Sequence, residues 1–167
     1  MIRLARARDL PLLQRIEQAA GAPFRTLGMD AVADDEPPTI EHLAAYQQAG
    51  RAWVAEVEGR VVGYLLLDVL AGCAHIEQVS VHPAYAHQRL GRELIERAAT
   101  WARENQLGSM TLTSFEHVPW NAPYYATLGF SILPHDEQPP RLQALRQAEA
   151  DRGLDAWPRV AMLRKLT

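Results

Sequence analysis

One cysteine, one lysine and no apolar run long enough to cross a bilayer mark this chain of 167 residues by what it lacks. Cys73 alone can neither close an internal disulfide nor furnish the several thiolates of a zinc or iron–sulfur site. That excludes the disulfide scaffolds of small secreted proteins and the zinc ribbons, and it points to a reducing compartment. No stretch approaches the roughly 18 apolar residues of a membrane span, and the start MIRLARARD lacks the apolar centre of a secretory signal. A cytoplasmic protein with no membrane partner is expected. An excess of basic charge is also missing: 17 bases stand against 20 acids, a net charge of −3, which offers nucleic acid no electrostatic attraction. Lys165 is the one lysine among those 17 bases, and this arginine bias is read as compositional before it is read as phosphate recognition. What remains is 48% hydrophobic and 22% charged residues. This suits one globular domain over residues 1–167, of a size that buries roughly 70% of its unfolded surface.

No repeat or low-complexity tract interrupts the chain. Ile2 to Ala7 alternates as a short strand, and Asp9 is placed to cap a helix with Leu10, Leu13, Ile16 and Ala20 at helical spacing, stopped by Gly21. The segment from Gly21 to Pro38 has no period and reads as a long loop, a feature that is often functional. Thr39 caps a second helix that Gly50 ends, and Trp53 to Val57, Glu58-Gly59 and Arg60 to Asp68 make a hairpin. A strand follows at 74–81, then a long amphipathic helix at 90–105, a strand at 110–115, a short helix at 121–128 and a strand at 130–133. A helix over 139–152 and a closing strand at 159–166 complete the order. A hairpin followed by β-α-β-α-β implies a mixed α/β sheet, antiparallel in its first half, with at least one parallel pair made by a crossover helix.

The most informative segment is IEQVSVHPAYAHQRLGRELI, residues 76–95. A strand bends at Pro83 into a polar loop that feeds a helix whose first turn holds Gly91 and Arg92. Such a helix start offers unpaired backbone N–H groups and a positive dipole end, the arrangement that holds a pyrophosphate. His87, Arg89 and Arg92 add charge. An ordinary β-to-α connection is the plainer reading on spacing alone, since one glycine is a weak phosphate signal.

The same segment resembles the acetyl-CoA motif of the GNAT N-acetyltransferases, in which V-x-V-x-P leads into [QR]-x-x-G-x-[GA] and a helix. Val79-Ser80-Val81-His82-Pro83 matches the strand end, and Ala86 to Gly91 matches the loop with two departures. Ala86 replaces Arg or Gln, and Arg89 replaces the first Gly, where a side chain strains the backbone. Downstream, NAPYYATLGF at 121–130 is similar to the family's later helix with its Y-x-x-x-G-F ending at Tyr125, Gly129 and Phe130. The pieces ADDEPP, SVHPAY and PWNAPYYATLGF resemble a bacterial GNAT subgroup in particular.

The resemblance implies a GNAT-like fold: a central, mostly antiparallel sheet splayed between the strands at 74–81 and 110–115 and flanked by helices. It implies acetyl-CoA as acyl donor, held by Val79, Ser80 and Val81, by His87, Gln88, Arg89, Leu90, Gly91 and Arg92, and by Asn121. Backbone groups at Val79 and Val81 would pair with the pantetheine arm as an added strand and polarise the thioester carbonyl. Glu77 is placed as general base and Tyr125 as the acid that protonates the departing thiolate. Each also has a plain structural reading, Glu77 as a solvated strand end and Tyr125 as packing beside Tyr124. Asn121 reads first as the cap of the short helix.

For the acceptor, a small primary amine is expected. Residues 30–41 hold five acids (Asp30, Asp34, Asp35, Glu36 and Glu41) and no base, a rim that attracts a cationic amine or is merely solvated. Phe24, Met29, Asp35, His117 and Trp120 are the candidates for substrate contact, each with a core or loop reading beside it. Cys73 and His75 share a strand face, but two ligands do not make a metal site. A non-catalytic acyl-CoA-binding module and a protein lysine or N-terminal acetyltransferase are the competing readings. The helix at 139–152 is the candidate contributor to a homodimer.

Overall fold

The alternation at the start of the chain yields only three residues of strand, β1 (Ile2–Leu4), in the computed structural model, which describes residues 1–167. Asp9 does not cap the following helix, α1 (Leu10–Gly21), with its side chain. Its carboxylate turns back instead, accepting from the Arg6 amide at 2.7 Å and pairing with Arg3 at 2.8 Å. Burial alone would raise the Asp9 pKa; the Arg3 and Arg6 contacts outweigh it and hold the carboxyl below its usual range.

The segment expected to be loop is largely ordered into short turns. A 3-10 turn covers Ala22–Leu27 and a one-turn helix, α2, covers Asp30–Ala33. Gly28, at φ 72°, separates them. Turns this short present no amphipathic period, which is why the pattern looked irregular. Then α3 (Ile40–Gln48) is capped as expected, with Thr39 Oγ1 accepting from the His42 amide at 3.1 Å.

The hairpin is β2 (Ala52–Val57) and β3 (Arg60–Leu70), paired antiparallel. Glu58 and Gly59 in its turn both have positive φ, 51° and 77°, as a type I′ turn requires. The remaining elements are β4 (Cys73–Val81), α4 (Leu90–Glu104), β5 (Ser109–Phe115), α5 (Ala122–Thr127), β6 (Ser131–Leu133), α6 (Pro140–Asp151) and β7 (Arg159–Lys165). The seven strands follow the hydrogen-bonded order β1-β2-β3-β4-β5-β7-β6. Pairing is mostly antiparallel, and the parallel β4–β5 ladder is confined to Ala74 with Met110 and His75 with Thr111. The expected mixed sheet is thus present, and its one parallel contact is short.

The chain forms two compact units, Met1–Leu67 with Glu77–Ala98, and Asp68–Ile76 with Ala99–Thr167. In the first, Leu10, Leu13 and Ile16 of α1 and Leu43 of α3 pack with Ala52, Val54, Tyr64 and Leu66 of β2 and β3. In the second, Leu142 of α6 is buried with Leu70 and Ala161, and Leu133 and Leu145 pack against them. Thus α6, the candidate dimer element, uses its apolar face within its own unit. No helix is long and apolar enough to cross a membrane.

Candidate active site

The end of β4 and the loop into α4 lie within the first unit. Successive side chains of a strand alternate, so Gln78 and Ser80 share one face and Glu77, Val79 and Val81 the other. Val79 and Val81 are half-buried and Ser80 is buried. Gly63 of β3 lets β4 approach closely: a Cβ there would stand 3.1 Å from the Ser80 carbonyl oxygen and 3.3 Å from Val81 Cγ2. Past the strand, the His82 amide donates to the Val62 carbonyl at 2.8 Å, and Pro83–Tyr85 makes one 3-10 turn.

The loop that follows keeps its turn without the expected glycine. His87 and Arg89 both adopt left-handed backbone, at φ 64° and 62°. That region is open to L-residues at a cost of roughly 1–2 kcal/mol each. Arg89 therefore takes the backbone conformation for which the motif uses glycine, and the strain expected from sequence is accepted locally. His87, Gln88, Arg89 and Arg92 are exposed, Gly91 is half-buried, and Leu90 is buried as the first core residue of α4. The first amides of α4 have no carbonyl one turn back, so this basic helix start can hold an anion.

Glu77 is exposed. Tyr125 belongs to the second unit, where it is 9% exposed, with its ring centroid 5.6 Å from Tyr124 and 6.2 Å from Phe130. The Tyr125 carbonyl accepts from the Leu128 and Phe130 amides, and Gly129, at φ 94°, turns the chain out of α5. Asn121 does not cap α5 with its side chain. Its Oδ1 accepts from the Phe115 amide at 3.3 Å and ties the start of α5 to the end of β5.

Among the acceptor candidates, Met29 is buried at 3% exposure, Phe24 is half-buried, and Asp35, His117 and Trp120 are exposed. Cys73 Sγ lies 3.1 Å from Ser109 Oγ, and His75 Nδ1 lies 2.8 Å from Thr111 Oγ1. Burial lowers the His75 pKa, against smaller upward pulls from Asp68 and Glu149. An open recess of about 310 Å³ in the second unit is lined by Gln138, Arg146 and Arg159 among others, and by none of the residues singled out from the sequence.

One polar cluster was not anticipated. Glu17 of α1 accepts at Oε2 from the Tyr64 hydroxyl and from Ser80 Oγ, the latter at 2.9 Å, and at Oε1 from Gln78 Nε2 at 3.2 Å. Gln78 Nε2 also reaches Ser80 Oγ at 2.9 Å. Burial raises the Glu17 pKa; the Tyr64 and Ser80 hydrogen bonds oppose it and Asp35 reinforces it. The sequence did hold a signal. Leu10, Leu13, Glu17 and Ala20 follow the spacing of a core-facing stripe, so a carboxylate occupies an apolar position.

A model of the Acetyltransferase (GNAT) family matches residues 13–130, more than half of the chain. The chain belongs to the GNAT acetyltransferase family. It is therefore an acyltransferase, with acetyl-CoA as acyl donor. Three solved structures with the GNAT fold illustrate the range of its neighbours. Rv2747 from Mycobacterium tuberculosis, solved in complex with CoA, is 21% identical, with 100% of this chain and 99% of that one covered at a TM-score of 0.73. N-acetylglutamate synthase from Neisseria gonorrhoeae, solved with CoA and N-acetyl-glutamate, is 19% identical at a TM-score of 0.73. All of this chain is covered there, but it spans only 35% of the synthase chain. The ribosomal-protein-S18-alanine N-acetyltransferase from Escherichia coli is 18% identical, with 100% and 94% covered at a TM-score of 0.66. At these identities the likeness establishes the GNAT fold and leaves the acceptor open.

Proposed function

We propose that this protein transfers the acetyl group of acetyl-CoA to the primary amine of a small cationic molecule, by direct attack in a ternary complex. The observation that carries the reading is the loop before α4, where Arg89, at the position of the motif's first glycine, has left-handed backbone at φ 62°, as does His87 at φ 64°. The exposed Arg89, Arg92 and His87 add charge for the anionic cofactor, and the α4 amides add dipole.

In this reading the backbone at Val79 and Val81 pairs with the pantetheine arm, and Asn121 is a further cofactor contact. Glu77 takes a proton from the acceptor's ammonium, and the free amine attacks the thioester carbonyl carbon. The C–N bond forms, the C–S bond breaks, and Tyr125 gives its proton to the departing thiolate. The carboxylates at 30–41 favour a cationic acceptor: Asp35, Glu36 and Glu41 are exposed, while Asp34 is engaged by Arg25. Phe24, Met29, Asp35, His117 and Trp120 are the proposed acceptor contacts.

The test is thermal stabilisation by acetyl-CoA, followed by thiol release with n-butylamine, putrescine, tyramine and an Ala-Ala-Ala peptide. Stabilisation and release with the small amines are expected. Release with the peptide alone would move the acceptor from small molecules to protein N-termini.

A further inference from the structure

Two carboxylates of this fold, Glu17 and Glu149, occupy apolar stripe positions on helices, and the fold treats them oppositely. Glu149 of α6 is buried at 7% exposure and neutralised. Arg146 Nη1 reaches it at 2.8 Å, Arg159 Nε at 3.4 Å, and the Thr113 hydroxyl donates to it at 2.6 Å. Glu17 is recessed into the polar cluster of the first unit and its three donors, Tyr64, Ser80 and Gln78, are all neutral.

A carboxylate withdrawn from water without a countercharge is costly, which is why buried carboxylates are ordinarily paired with a cation. The Tyr64 and Ser80 hydrogen bonds offset part of that cost, but no countercharge does. From the segment before α3, Asp35 adds negative charge. From β4, Glu77 acts electrostatically on Tyr64, the phenol of β3 that Glu17 holds. The base nearest in sequence to the acidic segment, Arg25, is taken by Asp34. Yet Glu17 is not sealed off, because it and Gln78 are both half-buried, so a ligand can reach the cluster. Hydrogen bonds fix the carboxylate from three sides, an arrangement that orients an acceptor group in advance of binding.

We propose that the Glu17 carboxylate binds a cationic nitrogen of the acceptor other than the one acetylated, which supplies the charge partner that the protein itself withholds. This rests on the amine-acetylation reading above and narrows its substrate class to acceptors that carry a second, non-reacting ammonium, as putrescine does. Glu17 is then a specificity-determining residue, with Tyr64, Ser80 and Gln78 positioning it. Ser80 thereby gains a part distinct from cofactor contact, since its hydroxyl serves the acceptor side while its backbone remains available on β4.

The experiment uses the full chain, with and without acetyl-CoA. The Glu17 carboxyl carbon is followed by 13C NMR through a pH titration, its resonance identified by its loss in Glu17→Gln. n-Butylammonium chloride is the probe, with n-butanol as its neutral match and sodium chloride at equal ionic strength. The butylammonium cation is expected to move the Glu17 midpoint to lower pH, and butanol to leave it in place. In thiol release with putrescine, Glu17→Gln is expected to raise KM about 10- to 100-fold, the range of one charge-assisted contact, with kcat within threefold, and to leave KM for n-butylamine within threefold. A midpoint indifferent to butylammonium, or an unchanged KM for putrescine, overturns the proposal. Should Glu17→Gln not fold, Tyr64→Phe takes its place. Loss of one donor moves the Glu17 midpoint and the acidic limb of kcat/KM upward together, and a limb that stays in place overturns the proposal. Failure of acetyl-CoA to stabilise the wild-type chain is a separate result: it removes the acetyl-transfer reading and leaves the butylammonium titration to be judged alone.

Discussion

Ser80 donates its hydroxyl to Glu17 at 2.9 Å, tying the strand of the V-S-V-H-P motif to helix α1. The strand proposed to hold the cofactor and the carboxylate proposed to hold the acceptor are thus joined within one unit, and Gln78 of the same strand adds a second hydrogen bond at 3.2 Å. A substitution at either end is felt at the other.

The first consequence concerns stability. Burial raises the Glu17 pKa above that of the unfolded chain, so the folded state binds a proton more readily there. Stability attributable to this group is greatest below the ordinary glutamate range and falls as pH rises through the raised pKa. Glu17→Gln, which carries no charge, is expected to melt higher than wild type at pH 8 by a few degrees, on the scale of about 2–4 °C per kcal/mol. The gap narrows towards pH 4. Thermal melts of both proteins across that range check it, and a Gln variant that melts lower at pH 8 contradicts it.

His75 has the opposite sign. Its folded pKa is depressed by burial, so its contribution is fully present above the ordinary histidine pKa and is lost as pH falls below it. Thr111→Val removes the hydrogen-bond partner of Nδ1 and is expected to cost about 1–3 kcal/mol at pH 7. Urea unfolding at pH 7 and pH 5.5 measures both effects.

Gly63→Ala places a methyl group 3.1 Å from the Ser80 carbonyl oxygen, a backbone atom that cannot swing aside. A loss of about 1–3 kcal/mol is expected, with weaker acetyl-CoA binding because β4 must shift. Calorimetric titration of acetyl-CoA against the variant gives the second quantity. An unchanged Kd would show that the cofactor does not use this stretch of β4.

Arg89 joins a strained backbone to a charge, and two variants separate them. Arg89→Gly relieves a left-handed residue worth about 1 kcal/mol, whereas Arg89→Ala keeps the strain and removes the charge. The glycine variant is expected to melt higher than the alanine variant by a few degrees, because the left-handed turn is already present in the free protein, and both are expected to bind acetyl-CoA several-fold more weakly than wild type for want of the charge. Equal melting temperatures of the two variants would show that residue 89 is not strained, and wild-type affinity in both would show that its charge plays no part in holding the pyrophosphate.

Much of the fold was legible because most of its elements carry a periodic pattern or a turn signature. Thr39, Glu58-Gly59 and Gly129 each announce a boundary by one chemical requirement, and each is found there. Asp9 and Asn121 carry the same kind of signature but bind elsewhere, to Arg3 and Arg6 in one case and to the Phe115 amide in the other. A cap residue has several donors within reach, and tertiary position decides among them. The short turns between Ala22 and Ala33 escaped because four to six residues cannot display a period. Glu17 escaped for a different reason. Its donors lie 47, 61 and 63 residues away along the chain, so only folding reveals that they converge. The acetyl-CoA motif was readable despite Ala86 and Arg89, since the strand, the bend and the helix start survive both changes.

Thiol release coupled to mass spectrometry of the amine tests the proposed acetyl transfer from acetyl-CoA to a small amine. With acetyl-CoA and the panel of n-butylamine, putrescine and tyramine, free CoA and acetylated amine are expected in equal amounts. Tyr125→Phe should slow their formation about 100-fold while leaving acetyl-CoA affinity unchanged. CoA release with no acetylated amine would rule out acetyl transfer to these amines, and full turnover by Tyr125→Phe would remove Tyr125 as the acid.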